Sequence, residues 1–319
     1  MTDSPPLVSI VIPVYFNEPN LPALFERLQS VTAIASAAFE FVFVDDGSRD
    51  ESLRLLSEFA GQDPRARVVK LSRNFGSFTA ILAGLTYAQG DCCAVISADL
   101  QDPPELIPEM IESWKLGHEV VLAVRAGRED RWLDRAFAAV FYWLMRRFAL
   151  PDMPEGGFDF VLIDRKVVDI LVDIREKNTS LMGLILWTGF DRATVTYTRR
   201  ARDLGTSMWT LRKKLKYFID SFTAFSYFPI RFMTALGLLG ASYAFIHTMV
   251  VLLAYLLFSI PVHGWASMMV AILGLGGIQL VMLGVLGEYL WRSLDETRRR
   301  PPFIVHRTIN FPKPTARSS

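Results

Sequence analysis

The sequence predicts an α/β fold: a Rossmann-like domain with a mostly parallel sheet, then an interfacial amphipathic segment and two transmembrane helices. Short apolar runs alternate with helical patterns over the first 200 residues, and polar residues follow several of these runs. Two later stretches, 232–258 and 265–290, each exceed the ~20 apolar residues needed to cross a bilayer. We therefore divide the chain into a first domain (1–200), a basic amphipathic segment (201–230), a transmembrane domain (231–291) and a cytosolic tail (292–319).

Composition limits the classes of function. The chain has 319 residues, 51% of them hydrophobic, and a formal net charge of +1. A nearly neutral chain is not typical of general nucleic-acid binding, so we expect no nucleic-acid partner. Cys92 and Cys93 are adjacent in a predicted strand, where neighbouring side chains point to opposite faces, so we expect both to be buried and unpaired. The first residues lack the basic and apolar regions of a signal peptide.

The predicted strands and helices alternate in the order expected for parallel β-α-β units with right-handed crossovers. Asn20 is placed to cap the first helix, and Gly90 to stop the third. The apolar run 180–190 fits either a buried helix or a surface that meets lipid. The predicted strands are 7–15, 39–44, 67–71, 91–98, 119–124, a run within 156–165, and 195–198. The predicted helices are 21–31, 51–60, 79–88, 106–116, 132–148 and 166–174.

The turn after the fourth strand carries the clearest chemical signal. Asp99, Gln101 and Asp102 follow an apolar run, and Pro103 and Pro104 prevent the strand from continuing. Taken alone, this pattern also fits a solvated acidic turn. However, Asp45-Asp46 and Asn74 also follow strands, and ligands of open α/β sheets bind at that edge. Hard oxygen donors there suit a Mg²⁺ or Mn²⁺ ion that also holds a diphosphate.

Basic residues form two groups. Arg125, Arg128 and Arg131 precede a helix, where they fit either a solvated face or a phosphate site. Residues 199–216 mix seven basic residues with aromatic and aliphatic ones, which favours a helix lying on anionic lipid over nucleic-acid binding. The loop 259–264 has no Lys or Arg, whereas both outer flanks do. By the positive-inside rule we expect a multi-pass protein of the inner (plasma) membrane, with its large domain and C-terminus cytoplasmic.

The chain carries an ordered series of short motifs: VSIVIPVY from Val8 with Asn17-Glu18, VDDGS from Val44, LSRNFG from Leu71, ADLQDPP from Ala98, Asp164-Arg165, Arg202 with Gly205 and Ser207, and LGEY from Leu286. This series resembles that of family-2, GT-A-fold polyprenyl-phosphate glycosyltransferases, a group similar to dolichyl-phosphate mannose synthases and bactoprenol glucosyltransferases. Each motif is weak alone, but the ordered series covers nearly the whole chain.

The resemblance implies an inverting transfer of a sugar from a nucleotide-sugar donor to undecaprenyl phosphate at the cytoplasmic membrane face, with UDP-glucose as the favoured donor. It implies Mg²⁺ or Mn²⁺ as cofactor and makes a homo-oligomer plausible. By this resemblance, the nucleotide pocket is lined by Pro13, Tyr15 and Glu18, Asp46 contacts the base or ribose, and Asn74 and Ser97 also belong to the donor site. The donor diphosphate is bound by Arg202 and Ser207, and the metal is held by Asp99 and Gln101. The acceptor phosphate is bound by Arg125, Arg128 and Arg131, and Asp159 faces the sugar. Asp99, Asp159 and Arg125 are thus the expected catalytic residues.

The chain departs from these relatives at two positions. Ser97 stands where dolichyl-phosphate mannose synthases carry an aspartate, and Met208 stands where many relatives carry a basic residue. Two alternatives therefore stay open: a GDP-mannose-dependent polyprenyl-phosphate mannose synthase, and a membrane protein that binds nucleotide sugar without transferring it. A processive polysaccharide synthase is disfavoured because it would have more transmembrane helices and a Gln-x-x-Arg-Trp motif. Here Arg131-Trp132 is preceded by Arg128 instead of glutamine.

Overall fold

The computed structural model describes residues 5–125, 132–154, 157–174, 176, 179–197, 211–258 and 264–311. The chain divides into two compact units. One comprises Met1–Ser221 together with Pro301–Ser319, and the other comprises Phe222–Arg300. The segment that follows the two long apolar helices therefore belongs to the same unit as the N-terminal domain.

The first unit is built on a mixed, mostly parallel sheet, as predicted. Its strands are β1 (Leu7–Val14), β2 (Ala38–Asp45), β3 (Ala66–Leu71), β4 (Cys92–Val95), β5 (Val120–Arg125), β6 (Phe160–Asp164), β7 (Arg192–Tyr197) and β8 (Val305–Ile309). The described strands lie in the order β7-β5-β6-β4-β1-β2-β3-β8. The pairs β1–β2, β2–β3, β1–β4 and β5–β7 are parallel. The strand β6 runs antiparallel to β4 and β5, and β8 runs antiparallel to β3.

Helices cover the sheet and continue into the second unit. They are α1 (Leu21–Ile34), α2 (Ser52–Gln62), α3 (Ser77–Tyr87), α4 (Ile107–Lys115), α5 (Trp132–Phe148), α6 (Arg165–Asp173), α7 (Leu181–Trp187), α8 (Leu211–Phe225), α9 (Phe228–Phe258) and α10 (Trp265–Thr297), with a short 3₁₀ turn at Pro104–Leu106. The predicted elements are all present, with ends shifted by a few residues.

The central strands are buried because helices cover both faces of the sheet. Val8, Ile10 and Ile12 on β1 have no exposed surface, and neither do Phe41 and Phe43 on β2. Near-continuous apolar runs are the sequence pattern of such two-sided burial. Fully burying one phenylalanine side chain stabilises the fold by about 2 kcal/mol, so the two on β2 are substantial anchors of the core.

Four local predictions can be compared with the structure. Cys92 and Cys93 are buried free thiols, as expected. The run 180–190 forms the buried helix α7, which resolves the two readings left open. Asn20 occupies the predicted N-cap, but its side chain makes no capping hydrogen bond. The assignment of Gly90 as the stop of α3 was wrong: the helix ends at Tyr87, and Gly90 lies where a Cβ would come within 2.6 Å of the Ser9 amide nitrogen.

The C-terminal segment forms a strand that the sequence analysis did not predict. β8 pairs antiparallel with β3, from Val68 opposite Ile309 to Leu71 opposite Val305. Beyond it, the Asn310 side-chain amide donates to the carbonyls of Ala60 and Ala66. The charged and polar residues between Val305 and Ile309 are exposed, as expected for an edge strand, so the described part of the tail at 305–310 is joined to the first unit.

The second unit contains the two predicted apolar helices. Its candidate membrane spans are Phe228–Ala254 and Ser267–Thr297, with mean hydropathies of 1.9 and 2.3. Neither span has a buried apolar window, which distinguishes both from the core helices of a soluble domain. Inside this unit, the Tyr289 hydroxyl donates to the Ser226 carbonyl at 3.2 Å. Length, composition and exposure all fit two helices that cross a membrane.

Candidate active site

The candidate site lies at the end of the sheet where the parallel strands have their carboxyl termini; this end is called the site edge below. The parallel strands β1, β2, β3 and β4 end there, and so do β5 and β7 on the other side of the antiparallel β6. Because β6 runs the opposite way, Asp159, immediately before it, reaches the same edge. Those predicted site residues that the structure describes therefore lie near the strand ends where ligands of open α/β sheets bind.

Asp46 organises the loop that follows β3. Its two carboxylate oxygens accept hydrogen bonds from the backbone amides of Phe75 and Gly76, at 2.7 and 2.9 Å. Burial raises the pKa of Asp46 above its ordinary value, and the two amides partly oppose this rise. Both oxygens are thus engaged in holding the end of the 72–76 loop.

Gly47 allows the two loops to approach. Its φ of +77° lies in the left-handed region, and a Cβ there would come within 2.8 Å of the Arg73 carbonyl carbon and 2.9 Å of the Asn74 nitrogen. Only glycine satisfies both conditions without strain. Asp45, next to Asp46, instead closes its own turn by accepting from the Ser48 amide at 3.1 Å. Asn74 is exposed on the loop so formed.

The predicted nucleotide-pocket residues Pro13, Tyr15 and Glu18 lie at the end of β1 and in the loop after it. Glu18 ties this loop to the start of α2, since its carboxylate accepts from the Glu51 amide at 3.2 Å. Phe16 has a φ of +54° and is exposed. For a residue other than glycine, such backbone costs about 1–3 kcal/mol and is found mainly at functional sites.

Ser97, Asp99 and Gln101 form a compact turn after β4. The Ser97 hydroxyl donates to Asp99 Oδ1 at 2.9 Å, and the Gln101 amide nitrogen donates to the same oxygen at 3.2 Å. Leu100, between them, has a φ of +61°, a second strained residue at this edge. Ser97 therefore orients the Asp99 carboxylate.

Arg125 ends β5 and forms an ion pair with Asp159. The Arg125 side chain is only 7% exposed, whereas that of Asp159 is 57% exposed. Burial alone would lower the pKa of Arg125, but the nearby carboxylate and the Tyr197 hydroxyl raise it above the ordinary arginine value. The guanidinium is therefore a permanent positive charge at the edge of the sheet.

Two residues of this region were missed in the sequence analysis as site residues. The Tyr197 hydroxyl, at the end of β7, donates to Asp102 Oδ1 at 2.5 Å, and both side chains are buried. Asp102 was visible in the turn motif but had no assigned role. Tyr197 carried no signal beyond its position in a short strand. Four predicted site residues, Arg128, Arg131, Arg202 and Ser207, lie outside the described residues.

Comparison with known proteins identifies the family. Residues 9–171 match the family described as glycosyl transferase family 2. The chain belongs to this family. It is 42% identical to the glycosyltransferase YkcC of Bacillus subtilis, with 95% of this chain and 94% of that protein covered. It is 37% identical to the prophage bactoprenol glucosyl transferase homolog of Escherichia coli, and 36% identical to the bactoprenol glucosyl transferase of Shigella phage SfV. These two alignments cover 94% and 93% of this chain, and 98% and 97% of the relatives.

Solved structures of other sugar transferases are also similar. The mannosyltransferase PcManGT from Pyrobaculum calidifontis, in complex with GDP-Man and Mn²⁺, matches with a TM-score of 0.42 and 18% identity, covering 61% of this chain and 56% of that one. The glucosyl-3-phosphoglycerate synthase of Mycobacterium tuberculosis, in complex with Mn²⁺, UDP-glucose and glycerol 3-phosphate, matches with a TM-score of 0.43 and 19% identity, covering 63% and 73%. The family assignment confirms the expected resemblance: the chain is a family-2 glycosyltransferase with the GT-A fold and two candidate membrane helices.

Proposed function

We propose that this glycosyltransferase moves glucose from UDP-glucose to the phosphate of a polyprenyl phosphate, undecaprenyl phosphate, at the cytoplasmic face of the membrane. The observation that carries the proposal is the near-full-length similarity to proteins named bactoprenol glucosyl transferase, in which both the domain and the two apolar helices are aligned. We infer that the strand-end site described above would bind both substrates.

On the donor side, the loops after β1, β2 and β3 would enclose the nucleotide. Asp46 fixes residues 72–76 through two backbone amides, and Glu18 fixes the loop after β1. A loop that is already ordered before binding loses less conformational entropy when the nucleotide arrives. We infer that Pro13, Tyr15 and Asn74 contact the nucleotide, and that Arg202 and Ser207 complete the diphosphate site.

We infer that Asp99 and Gln101 hold a Mg²⁺ or Mn²⁺ ion together with the donor diphosphate. A carboxylate and an amide on one turn offer hard oxygen ligands, and Mg²⁺ is commonly bound by one or two carboxylates plus substrate phosphates. Within the described ranges, no three His, Cys, Asp or Glu side chains group into a metal cage, so the diphosphate would complete the coordination. When bound, such an ion neutralises charge that develops on the leaving diphosphate.

On the acceptor side, Arg125 is the described cation best placed for the lipid phosphate. It stands at the sheet edge, and its ion-pair partner Asp159 is largely exposed, so an incoming phosphate can compete for the guanidinium. Arg128 and Arg131 follow in the sequence and would add charge to the same site. We infer that Asp159 holds Arg125 in place before the phosphate arrives and then faces the sugar.

The proposed chemistry is a single inverting displacement. An oxygen of the lipid phosphate attacks the anomeric carbon, a C–O bond forms, and the bond from that carbon to the nucleoside diphosphate breaks with its electron pair on the diphosphate. Because a phosphate is already anionic at neutral pH, little help from a general base is needed. Catalysis then depends on positioning of the two substrates and on stabilisation of charge on the leaving group.

The chain connectivity supports the proposed topology. Two spans return a chain to the side of the membrane on which it entered, and β8 rejoins the sheet of the first unit directly after them. Arg292 and the run Arg298-Arg299-Arg300 follow the apolar part of α10, whereas the loop 259–264 has no Lys or Arg. By the positive-inside rule we infer that the catalytic domain lies in the cytoplasm, in a multi-pass protein of the inner (plasma) membrane.

The test is transfer of label from a panel of UDP- and GDP-sugars to undecaprenyl phosphate by the purified full-length protein, with Mg²⁺, Mn²⁺ or EDTA. We expect glucosyl lipid from UDP-glucose only, and no product with EDTA. Asp99→Asn should lose most activity, whereas Asp91→Asn, a matched change at the amino end of β4, should not, because its amide oxygen still accepts from the Leu7 amide. Product from GDP-mannose alone would support the mannose synthase, and nucleotide-sugar binding without transfer would support the non-catalytic alternative.

A further inference from the structure

A buried polar group lies behind Arg125. Asp102 and Tyr197 are 1% and 5% exposed, and the Arg125 side chain is 7% exposed. The three side chains come from separate parts of the chain: the turn after β4, the end of β7 and the end of β5. Arg125 and Tyr197 are register partners on adjacent parallel strands, so the hydroxyl reaches both the guanidinium and Asp102.

Apolar side chains at these positions would stabilise the core at least as well as this polar group. Burying a carboxylate costs several kcal/mol unless hydrogen bonds and an opposite charge compensate, and well-packed apolar residues are often at least as stabilising. Burial and the neighbouring Asp102 charge raise the pKa of Tyr197, so its hydroxyl stays protonated and acts as a donor at neutral pH. The arrangement instead gives Arg125 a fixed orientation.

Arg125 therefore has two different surroundings. Behind it, Tyr197 and Asp102 are buried and joined by a 2.5 Å hydrogen bond. In front of it, Asp159 is more than half exposed. The fold holds Tyr197 and Asp102 in place, whereas another anion can displace the Asp159 carboxylate from Arg125. In addition, Asp102 belongs to the same turn as Asp99 and Gln101, so the rear group connects that turn to the arginine.

We propose that Asp102 and Tyr197 are positioning residues that fix the Arg125 guanidinium relative to the 97–102 turn, and so set the distance between the acceptor phosphate and the donor. The proposal rests on the proposed function, in which Arg125 binds the lipid phosphate and the turn binds the donor diphosphate. Neither residue touches substrate. Their effect should be large, because a misplacement of about 1 Å between reacting groups can cost about 100-fold in rate.

The test compares Tyr197→Phe and Asp102→Asn with the wild type in the full-length enzyme, with Tyr87→Phe as the matched control. Tyr87 is a half-buried tyrosine whose ring packs on Phe311, away from this edge. For Tyr197→Phe and Asp102→Asn we expect the KM for polyprenyl phosphate to rise about fivefold or more and kcat to fall about tenfold, with the KM for UDP-glucose within about twofold of wild type. Tyr87→Phe should change none of these values. Tyr197→Phe keeps the ring, so it carries the test if Asp102→Asn does not fold.

A second measurement separates positioning from general destabilisation. If Tyr197 acts through Arg125, then adding Tyr197→Phe to Arg125→Lys should lower activity by less than the product of the two single effects. Independent effects, or equal rises in donor and acceptor KM, would overturn the inference while leaving the proposed function intact. A wild-type protein that makes no glycosyl lipid from any donor would overturn the proposed function, and this inference with it.

Discussion

Replacing Gly47 with alanine should weaken donor binding without unfolding the protein. A Cβ at this position would come within 2.8 Å of the Arg73 carbonyl carbon and 2.9 Å of the Asn74 nitrogen. These are backbone atoms, so the 72–76 loop itself must move away. Its movement would break the hydrogen bonds from Phe75 and Gly76 to Asp46, which hold the loop in the geometry that we propose for nucleotide binding.

The size of the effect follows from those two bonds. A hydrogen bond to a charged group contributes about 1.5 kcal/mol or more, so a displaced loop lacks about 3 kcal/mol of the interaction that holds it in the donor-binding geometry, and nucleotide binding must offset that loss. Since about 1.4 kcal/mol corresponds to a tenfold change in affinity, complete loss predicts a donor affinity about 100-fold weaker, and loss of one bond predicts about tenfold. The left-handed φ adds about 1–2 kcal/mol of strain, which lowers the stability of the fold and not the donor affinity.

Gly117→Ala provides the control for that strain. Gly117 has a φ of +106°, and a Cβ there would meet nothing within 4 Å. Both variants should therefore show a lower melting temperature, with the larger fall for Gly47→Ala because it also breaks the two hydrogen bonds, but only Gly47→Ala should lose UDP affinity in titration calorimetry and show a raised KM for UDP-glucose. Equal UDP affinities in the two variants would refute the reasoning, because the added Cβ would then have left the loop in place.

Three further predictions follow from other parts of the structure. Because burial raises the pKa of Asp46 above its ordinary 3.8, protonation should begin at a higher pH than in an exposed aspartate. UDP affinity should therefore fall as the pH is lowered through that raised value, and an affinity that is flat down to pH 3.8 would contradict this. Asn310→Ala should speed hydrogen exchange across β8, by removing two bonds of about 1 kcal/mol each, and unchanged exchange would exclude an anchoring role. Cys92 and Cys93 should resist maleimide in the folded protein, since burial raises both thiol pKa values, that of Cys93 to about 12, and labelling within minutes would show that β4 is accessible.

Most of the fold could be predicted because the sheet is built from local patterns. The apolar runs of β1 and β2 are long, and Asp46 and Asp99 mark the ends where the strands leave the core. β8 could not be predicted in this way. Apolar and polar residues alternate only weakly along it, so its local sequence does not indicate a strand. Its partner β3 lies more than 230 positions earlier, and only this tertiary contact makes it a strand.

The site was predictable in its residue types more than in its contacts. The motif around Asp99 indicated a metal turn, but that Ser97 orients the Asp99 carboxylate depends on a strained Leu100 that no pattern reveals. Arg125 was expected at the acceptor phosphate from its charge and from the family resemblance. Its rear contact, Tyr197, comes from a strand about seventy residues later, and a tyrosine in a short strand is ordinary core material by sequence. Pairings between distant strand ends are set by the sheet order, which local periodicity does not encode.

The strand order divides the proposed reaction between two halves of the sheet. β1, β2 and β3 lead into the loops that we assign to the donor, whereas β5 and β7 carry Arg125 and Tyr197 for the acceptor. β4 lies between the halves, and its turn contributes Asp99 toward the donor and Asp102 toward the acceptor arginine. Since a phosphate acceptor needs little activation, the rate depends on how these halves are held together. Changes in the loops after β1, β2 and β3 should then alter the KM for UDP-glucose, whereas changes at Asp102 and Tyr197 should alter kcat and the KM for polyprenyl phosphate.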